Sequence, residues 1–322
     1  MNKLDKKLEN FSGSILVARA NKLVLYRSYG LKNIEENIEN TNNTSYPIGS
    51  ISKIFTALAI MKLHENGCLD INEPAKKYLQ IEELDEDIKI RHLLNHSSGL
   101  KNFVLCRKTF NLYEDNRPEE IAQKISAMKR NFKAGERLAY NNTGYLMLAL
   151  IVEKVSKSSF EAYIEENIFL KLDMKDSSFL SRKRLDIAKG YKNNRARKPF
   201  HPSSFWGCGD IISTTGDLNK LIVAINSGKI ISRNLVEDMQ KIQAKNIILK
   251  YGYGFMLENR SGQKSIGHSG SIPNSYGSKL SYYPNRDLVI IVLSNNIKSI
   301  NRFIAGPMAI PYIEKYLYRL YS

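Results

Sequence analysis

A chain of 322 residues, 43% hydrophobic and 25% charged, has an ordinary globular composition that excludes disordered and collagen-like readings. Its net charge of +16, from 48 Lys+Arg against 32 Asp+Glu, favours anionic surroundings such as nucleic acid, anionic lipid or acidic wall polymer. The longest apolar run, "LVIIVL" at 288–293, is far too short to span a membrane. The opening "MNKLDKKLENF" carries five charges and no apolar signal-peptide core, so the expected location is cytoplasmic, or periplasmic or extracellular if an export signal was removed. Three scattered cysteines without a C-x-x-C pair argue against a disulfide framework or a zinc ribbon, and no cofactor is indicated.

In chain order, "GSILVARA" and "KLVLYRSYG" predict a hairpin around Ala20-Asn21. "YPIGSISKIFTALAIMKL" at 46–63 has helix length and is stopped by Gly67. From about 69 to 202 the texture is helical. "RPEEIAQKISAMKRNF" is amphipathic, with Pro118 and two glutamates suited to a helix start, and "GYLMLALIVEKVSK" predicts a buried helix. The densest basic run, 182–200, reads as a loop whose only aromatics are Tyr191 and Phe200, so a solvated basic face is expected rather than a specific nucleic-acid site. "YGYGFMLE", "KSIGH", "GSKLSYY" and "RDLVIIVLSNN" then predict an antiparallel meander with a turn at Pro284-Asn285. The fold class expected is α+β: an antiparallel sheet flanked by helices, built from 1–66 and 205–322, with an all-helical domain inserted at 67–204.

Within the 46–63 stretch, Ser50 and Lys53 stand three apart at a helix start, so their side chains share a face. Free N–H groups at that start stabilise an anion developing on Ser50. A helix start and an apolar setting both work against an ammonium charge, and a lysine in its amine form can take the proton of a serine hydroxyl. The ordinary alternative is an N-cap serine and a lysine that reaches water. S-x-x-K also occurs at Ser98–Lys101, Ser126–Lys129 and Ser261–Lys264, but only Ser50 combines a preceding turn, a helix start and an apolar setting.

Two further segments could serve such a nucleophile. "AGERLAYNNTGY" places Tyr140 and Asn142 in a polar turn, a phenol for proton relay and an amide for substrate. The competing reading is a packed tyrosine before a capping asparagine. "IGHSGSIPNS" offers His268, Ser269 and Gly270 at a strand end, where glycine allows close approach of a ligand and the N–H of Ser271 could face an oxyanion. Its competitor is a plain turn with a surface histidine.

Ser-Ile-Ser-Lys at 50–53, Tyr-Asn-Asn at 140–142 and His-Ser-Gly at 268–270 resemble, in order and context, the motifs of the serine β-lactamase/penicillin-binding-protein superfamily. The tyrosine in the second motif resembles the class C β-lactamase branch, with its D-alanyl-D-alanine carboxypeptidases, D-aminopeptidases and esterases. "FSGSILVA", "HLLNHSSGL", "FKAGERLAYNNTGY" and "GCGDIISTTGDL" are similar to that branch too, so the likeness covers about 11–296. The resemblance implies a β-lactamase/transpeptidase-like fold with its cleft between a sheet domain and a helical domain. It implies Ser50 as the acylated nucleophile, Lys53 as its proton acceptor and Tyr140 as proton shuttle. Asn142, His268, Ser269 and Gly270 would bind substrate, and the N–H groups of Ser50 and Ser271 would form the oxyanion hole. Class C β-lactamases have lysine at the position of His268. Neutral imidazole holds a carboxylate poorly, which ranks D-stereospecific peptidase, carboxypeptidase or esterase activity above efficient β-lactam turnover or acyl transfer.

Two rivals remain. His92 and His96 in "HLLNH" have helical i, i+4 spacing, but the H-E-x-x-H glutamate and a third ligand are missing, so no metal is expected. An inactive binding or scaffold protein of the same fold would be signalled by loss of the lysine or the tyrosine, and both are present. The expected partners are therefore a small-molecule or peptide substrate and anionic surfaces.

Overall fold

The computed structural model describes residues 3–182, 187–260, 262–297 and 309–322. The first hairpin forms as expected: Gly13–Arg19 pairs antiparallel with Lys22–Tyr29, and Arg19 faces Lys22 across the turn. Ala20 and Asn21 both have positive φ, 47° and 59°, the left-handed pair whose twist matches the flanking strands.

That hairpin forms one edge of an eight-stranded sheet. From the far edge the order is Ala244–Lys245, Lys250–Tyr251, Met256–Arg260, Gln263–Ile272, Tyr276–Tyr283, Leu288–Ser294, Gly13–Arg19 and Lys22–Tyr29. Every neighbouring pair is antiparallel, and Gly13 stands opposite Ser294, so both chain ends build one sheet. Leu288–Ser294 is buried at every position because both its faces are covered. Ile291 and Leu293 join Leu16 and Ala18 in the main core, while Ile290 and Val292 pack with Leu4, Leu8, Ile313 and Leu317 of the helices Lys3–Leu8 and Ala309–Tyr321. Cover on two faces is why this strand reads as a continuous apolar run. The meander departs from expectation at "YGYGFMLE", which is two short strands interrupted at 252–255, where Gly254 takes φ 82°.

The Ser52–Glu65 helix, preceded by a 3-10 turn at Gly49–Ile51, is buried on nearly all sides. It ends as anticipated near Gly67: the Cys68 N–H reaches the Leu63 carbonyl, and Gly67 at φ 71° makes the left-handed exit. It packs on Asn142–Ser156, also buried, and around this pair lie Ala75–Leu79, Ile90–Leu94, Pro118–Ser126 and Phe160–Ile164. Each fully buried leucine or isoleucine here stabilises by about 2 kcal/mol, so the pair is the rigid spine of the molecule. Among the described residues no helix is long and apolar enough to cross a membrane.

The purely helical reading of 67–204 needs correction. Ser178–Phe179 pairs with Ile211–Ser213, which also pairs with Tyr46–Pro47. The basic run contains a small hairpin, Tyr191–Lys192 with Arg195–Ala196, turned by Asn193 and Asn194 at positive φ and paired with Asn296–Ile297; its residues 183–186 lie outside the described ones. One hydrophobic cluster runs from Leu16 and Leu293 through Ile54 and Phe55 to Leu146 and Ile164. The core is therefore continuous across 66/67 and 204/205.

Candidate active site

Two glycines bring the third motif against the first. Gly49 has φ 52°, and a Cβ on it would lie 2.8 Å from the Ser271 nitrogen. A Cβ on Gly270 would lie 2.0 Å from the Ile48 carbonyl oxygen and 2.2 Å from Ser278 Oγ. Only bare backbone fits, so the Gln263–Ile272 strand presses directly on the Gly49–Ile51 turn. Ser278 Oγ donates to the Ile48 carbonyl at 2.7 Å and locks this approach. The contact sets Ser271, exposed, beside the turn that carries half-buried Ser50.

Lys53 is 0% exposed, and its nitrogen meets three oxygens: Ser50 Oγ at 3.1 Å, Asn142 Oδ1 at 2.8 Å and the Cys208 carbonyl at 2.7 Å. The setting is therefore polar at its tip, not apolar throughout as expected from the neighbours in sequence. An ammonium satisfies all three acceptors. An amine has two hydrogens for Asn142 and Cys208, both of which can only accept here, and that leaves its lone pair for the Ser50 hydroxyl. The Cys208 carbonyl is held in place by the loop around it, since Thr56 Oγ1 donates to the Gly207 carbonyl at 2.7 Å. Gly207, at φ 70°, packs so close to the buried helix that a Cβ would lie 2.5 Å from that of Ala149. Sequence reading missed Cys208 because its working atom belongs to the main chain; the glycines flanking it are the only signal.

The two asparagines of the second motif divide the alternatives between them. Asn141 is the cap, its side chain accepting from the Thr143 N–H at 2.7 Å, while Asn142, the first helical residue, reaches Lys53. Thr143 Oγ1 donates to the Lys101 carbonyl and accepts from the Phe103 N–H, tying the 100–103 loop to the helix start. The Tyr140 ring centroid lies 5.1 Å from Lys53 Nζ, and its hydroxyl is buried with no hydrogen-bond partner among the described residues.

His268 is 0% exposed, so its ring sits inside the wall rather than on the cleft surface. Nδ1–H donates to the Ser269 carbonyl at 2.6 Å, and Nε2 accepts from the Tyr251 hydroxyl at 2.9 Å. Burial, and secondarily the charge of Lys53, pushes its pKa down to about 3. The ring is neutral and both nitrogens are committed. It stands 6.1 Å from the Tyr140 ring, centroid to centroid. Ser269 is half-buried, and Gly270 is buried against Ile48.

His96, weighed in the sequence only as half of a metal pair, lies in this cluster, with ring centroids 4.3 Å from Tyr140, 4.4 Å from Tyr251 and 5.1 Å from Tyr145. The helix that was to align it with His92 ends at Leu94, and His96 takes φ 61° beyond it, so the two histidines do not share a face. Its Nδ1 accepts from the Asn141 N–H at 3.2 Å; the proton is therefore on Nε2, which is buried without a partner among the described residues. Burial, then Lys53, hold its pKa well below the usual range. Among the described residues no group of three metal-ligating side chains occurs. Tyr145, whose hydroxyl donates to the Leu94 carbonyl, and Tyr251 were likewise missed, because neither lies in a distinctive pattern. The other S-x-x-K serines are elsewhere: Ser98 is buried in a loop while Lys101 donates to Asn131, Ser126 donates to its own helix at Ala122, and Ser261 lies outside the described residues.

The sequence model of the Beta-lactamase family matches residues 2–310. A teichoic acid D-alanine hydrolase of Staphylococcus aureus (strain MRSA252) is 29% identical over 308 residues, which are 93% of this chain and 74% of that protein. An octameric penicillin-binding protein homologue from Pyrococcus abyssi superposes with a TM-score of 0.84 at 31% identity, covering 99% of this chain and 76% of its own. A D-amino acid amidase from Ochrobactrum anthropi SV3, at 20% identity, superposes with a TM-score of 0.85 over 100% of both chains, a likeness of fold.

Proposed function

This chain belongs to the Beta-lactamase family and is a serine hydrolase; from that premise we propose that it cleaves D-aminoacyl esters and amides through an acyl-enzyme on Ser50. The observation that carries this reading is the approach of Lys53 Nζ to Ser50 Oγ at 3.1 Å, with Asn142 and the Cys208 carbonyl occupying its other hydrogens. Lys53 as amine takes the Ser50 proton while Oγ attacks the acyl carbonyl. The N–H groups of Ser50 and Ser271 receive the oxyanion. Tyr140, over the lysine, passes the proton to the departing alcohol or amine and later draws one from the deacylating water. Asn142 shares its amide between Lys53 and the substrate.

Neutral, enclosed His268 gives no fixed positive charge for a substrate carboxylate, and the nearby Lys279 is spent on Glu258 at 2.7 Å. This supports donors without a free carboxylate beside the scissile bond, such as a D-alanyl ester, over D-Ala-D-Ala peptides and β-lactams. The S. aureus relative, named a teichoic acid D-alanine hydrolase, supports the same acyl group. The net charge of +16 suits an anionic leaving polymer.

A panel of p-nitrophenyl butyrate, a D-aminoacyl anilide, its L-enantiomer, a D-Ala-D-Ala peptide and nitrocefin tests the reading. Turnover of the ester and the D-anilide above the others is the expected result. A fluorophosphonate should add mass to the wild type and not to Ser50→Ala. Equal labelling of both removes the nucleophile, and preference for nitrocefin or the peptide removes the substrate class.

A further inference from the structure

We propose that the hairpin of Ala244–Lys245 and Lys250–Tyr251 docks this protein on an anionic phospholipid surface. Its tip is rigid: the Asn246 N–H donates to the Leu249 carbonyl at 2.9 Å, and Asn246 Oδ1 accepts from the N–H groups of Ile248 and Leu249 at 2.8 and 2.7 Å. This turn holds Ile247 at 101% and Ile248 at 92% exposure, the most exposed large apolar side chains among the described residues. Lys245 and Lys250 flank them, exposed, and neither pairs with a carboxylate among the described residues.

Beside the tip is a hollow of about 670 Å3, with Arg91, Asn95, Arg137 and Lys245 on its wall. Arg91 donates to the Asn72 amide at 3.2 Å, and Arg137 lies over the Phe132 ring at 4.7 Å. Neither guanidinium pairs with a carboxylate among the described residues; the acidic residue on this wall is Glu136, which accepts from the Lys133 N–H. An apolar wedge beside a cationic hollow matches the layering of a bilayer, with acyl chains beneath phosphate head groups. A second copy of the chain fits less well, because two bodies of net charge +16 repel.

The hairpin also adjoins the chemistry. Asn246 Nδ2 donates to the Leu138 carbonyl at 3.2 Å, two residues before Tyr140, and Tyr251 at the hairpin base donates to His268. Docking would bring the Ser50 site to the lipid surface. None of this depends on which acyl donor is cleaved.

Co-sedimentation with phosphatidylcholine vesicles, with and without phosphatidylglycerol, tests the proposal on the full chain. Wild type should bind the phosphatidylglycerol vesicles, and high salt should weaken the binding. Ile247→Asp/Ile248→Asp should lower the partition coefficient at least about tenfold, and Lys245→Gln/Lys250→Gln about thirtyfold. Both variants should hydrolyse p-nitrophenyl butyrate in solution like the wild type. Equal vesicle binding by all three proteins overturns the proposal. So does a concentration-dependent dimer that Ile247→Asp/Ile248→Asp dissolves while wild type ignores vesicles.

Discussion

Lys53 and Asn142 stand 89 residues apart in the chain, and the lysine nitrogen lies 2.8 Å from the asparagine amide oxygen. The contact joins the first turns of the two helices that form the buried spine. It fixes one hydrogen of the lysine and so helps aim the nitrogen at Ser50.

Removing that acceptor leaves Lys53 free to swing. Asn142→Ala should lower kcat for p-nitrophenyl butyrate by about a hundredfold, the scale expected when a reacting group loses its orientation. Circular dichroism should show an intact fold, because Asn141 keeps the helix cap. Unchanged kcat would mean that Ser50 and the Cys208 carbonyl suffice to position the lysine.

Tyr140 carries a buried hydroxyl with no partner among the described residues, an arrangement that costs about 1–3 kcal/mol. Tyr140→Phe should therefore melt at the same temperature or higher, while turnover falls by about 10²–10⁴-fold. A lower melting temperature together with normal turnover would make the hydroxyl structural instead.

His268 titrates near 3 in the folded chain against an ordinary 6.5, through burial first. Between those values the unfolded chain holds a proton on this ring that the folded one refuses. The stability it contributes is full above about pH 6.5 and declines as pH falls toward 3, by about 1.4 kcal/mol per unit. His268→Gln keeps an acceptor for Tyr251 and a donor for Ser269, so its melting temperature should fall less steeply between pH 6.5 and 4 than that of the wild type. His96, shifted in the same direction, retains part of the slope in the variant. Parallel melting curves against pH would show that His268 does not carry this linkage.

Gly270→Ala sets a methyl 2.0 Å from the Ile48 carbonyl oxygen. The strand must move off the Gly49 turn, at a cost of about 1–3 kcal/mol, and the Ser271 N–H moves with it. Thermal melting should detect the loss, and kcat for p-nitrophenyl butyrate should fall at least about tenfold. Full activity would place the oxyanion donors elsewhere.

Local patterns in the sequence marked many of the elements, and the resemblance of three ordered motifs to a known family implied the reaction class. Ala20-Asn21 between β-branched runs specified the hairpin, the run at 288–293 a strand of the meander, and Pro118 with its glutamates a helix start, whereas the cover on both faces of 288–293 came from the packing. Spacing and setting singled out Ser50 and Lys53 from three other S-x-x-K matches, because a helix start and its neighbours are encoded within a few residues. Only the folded chain decided what meets the lysine nitrogen. A main-chain carbonyl at Cys208 carries no side-chain signature, and His96 left its helix through a left-handed residue that aimed it at Tyr140 instead of alongside His92. Those contacts arise from packing between segments distant in sequence, where direction and distance are set by the core and not by the residues themselves.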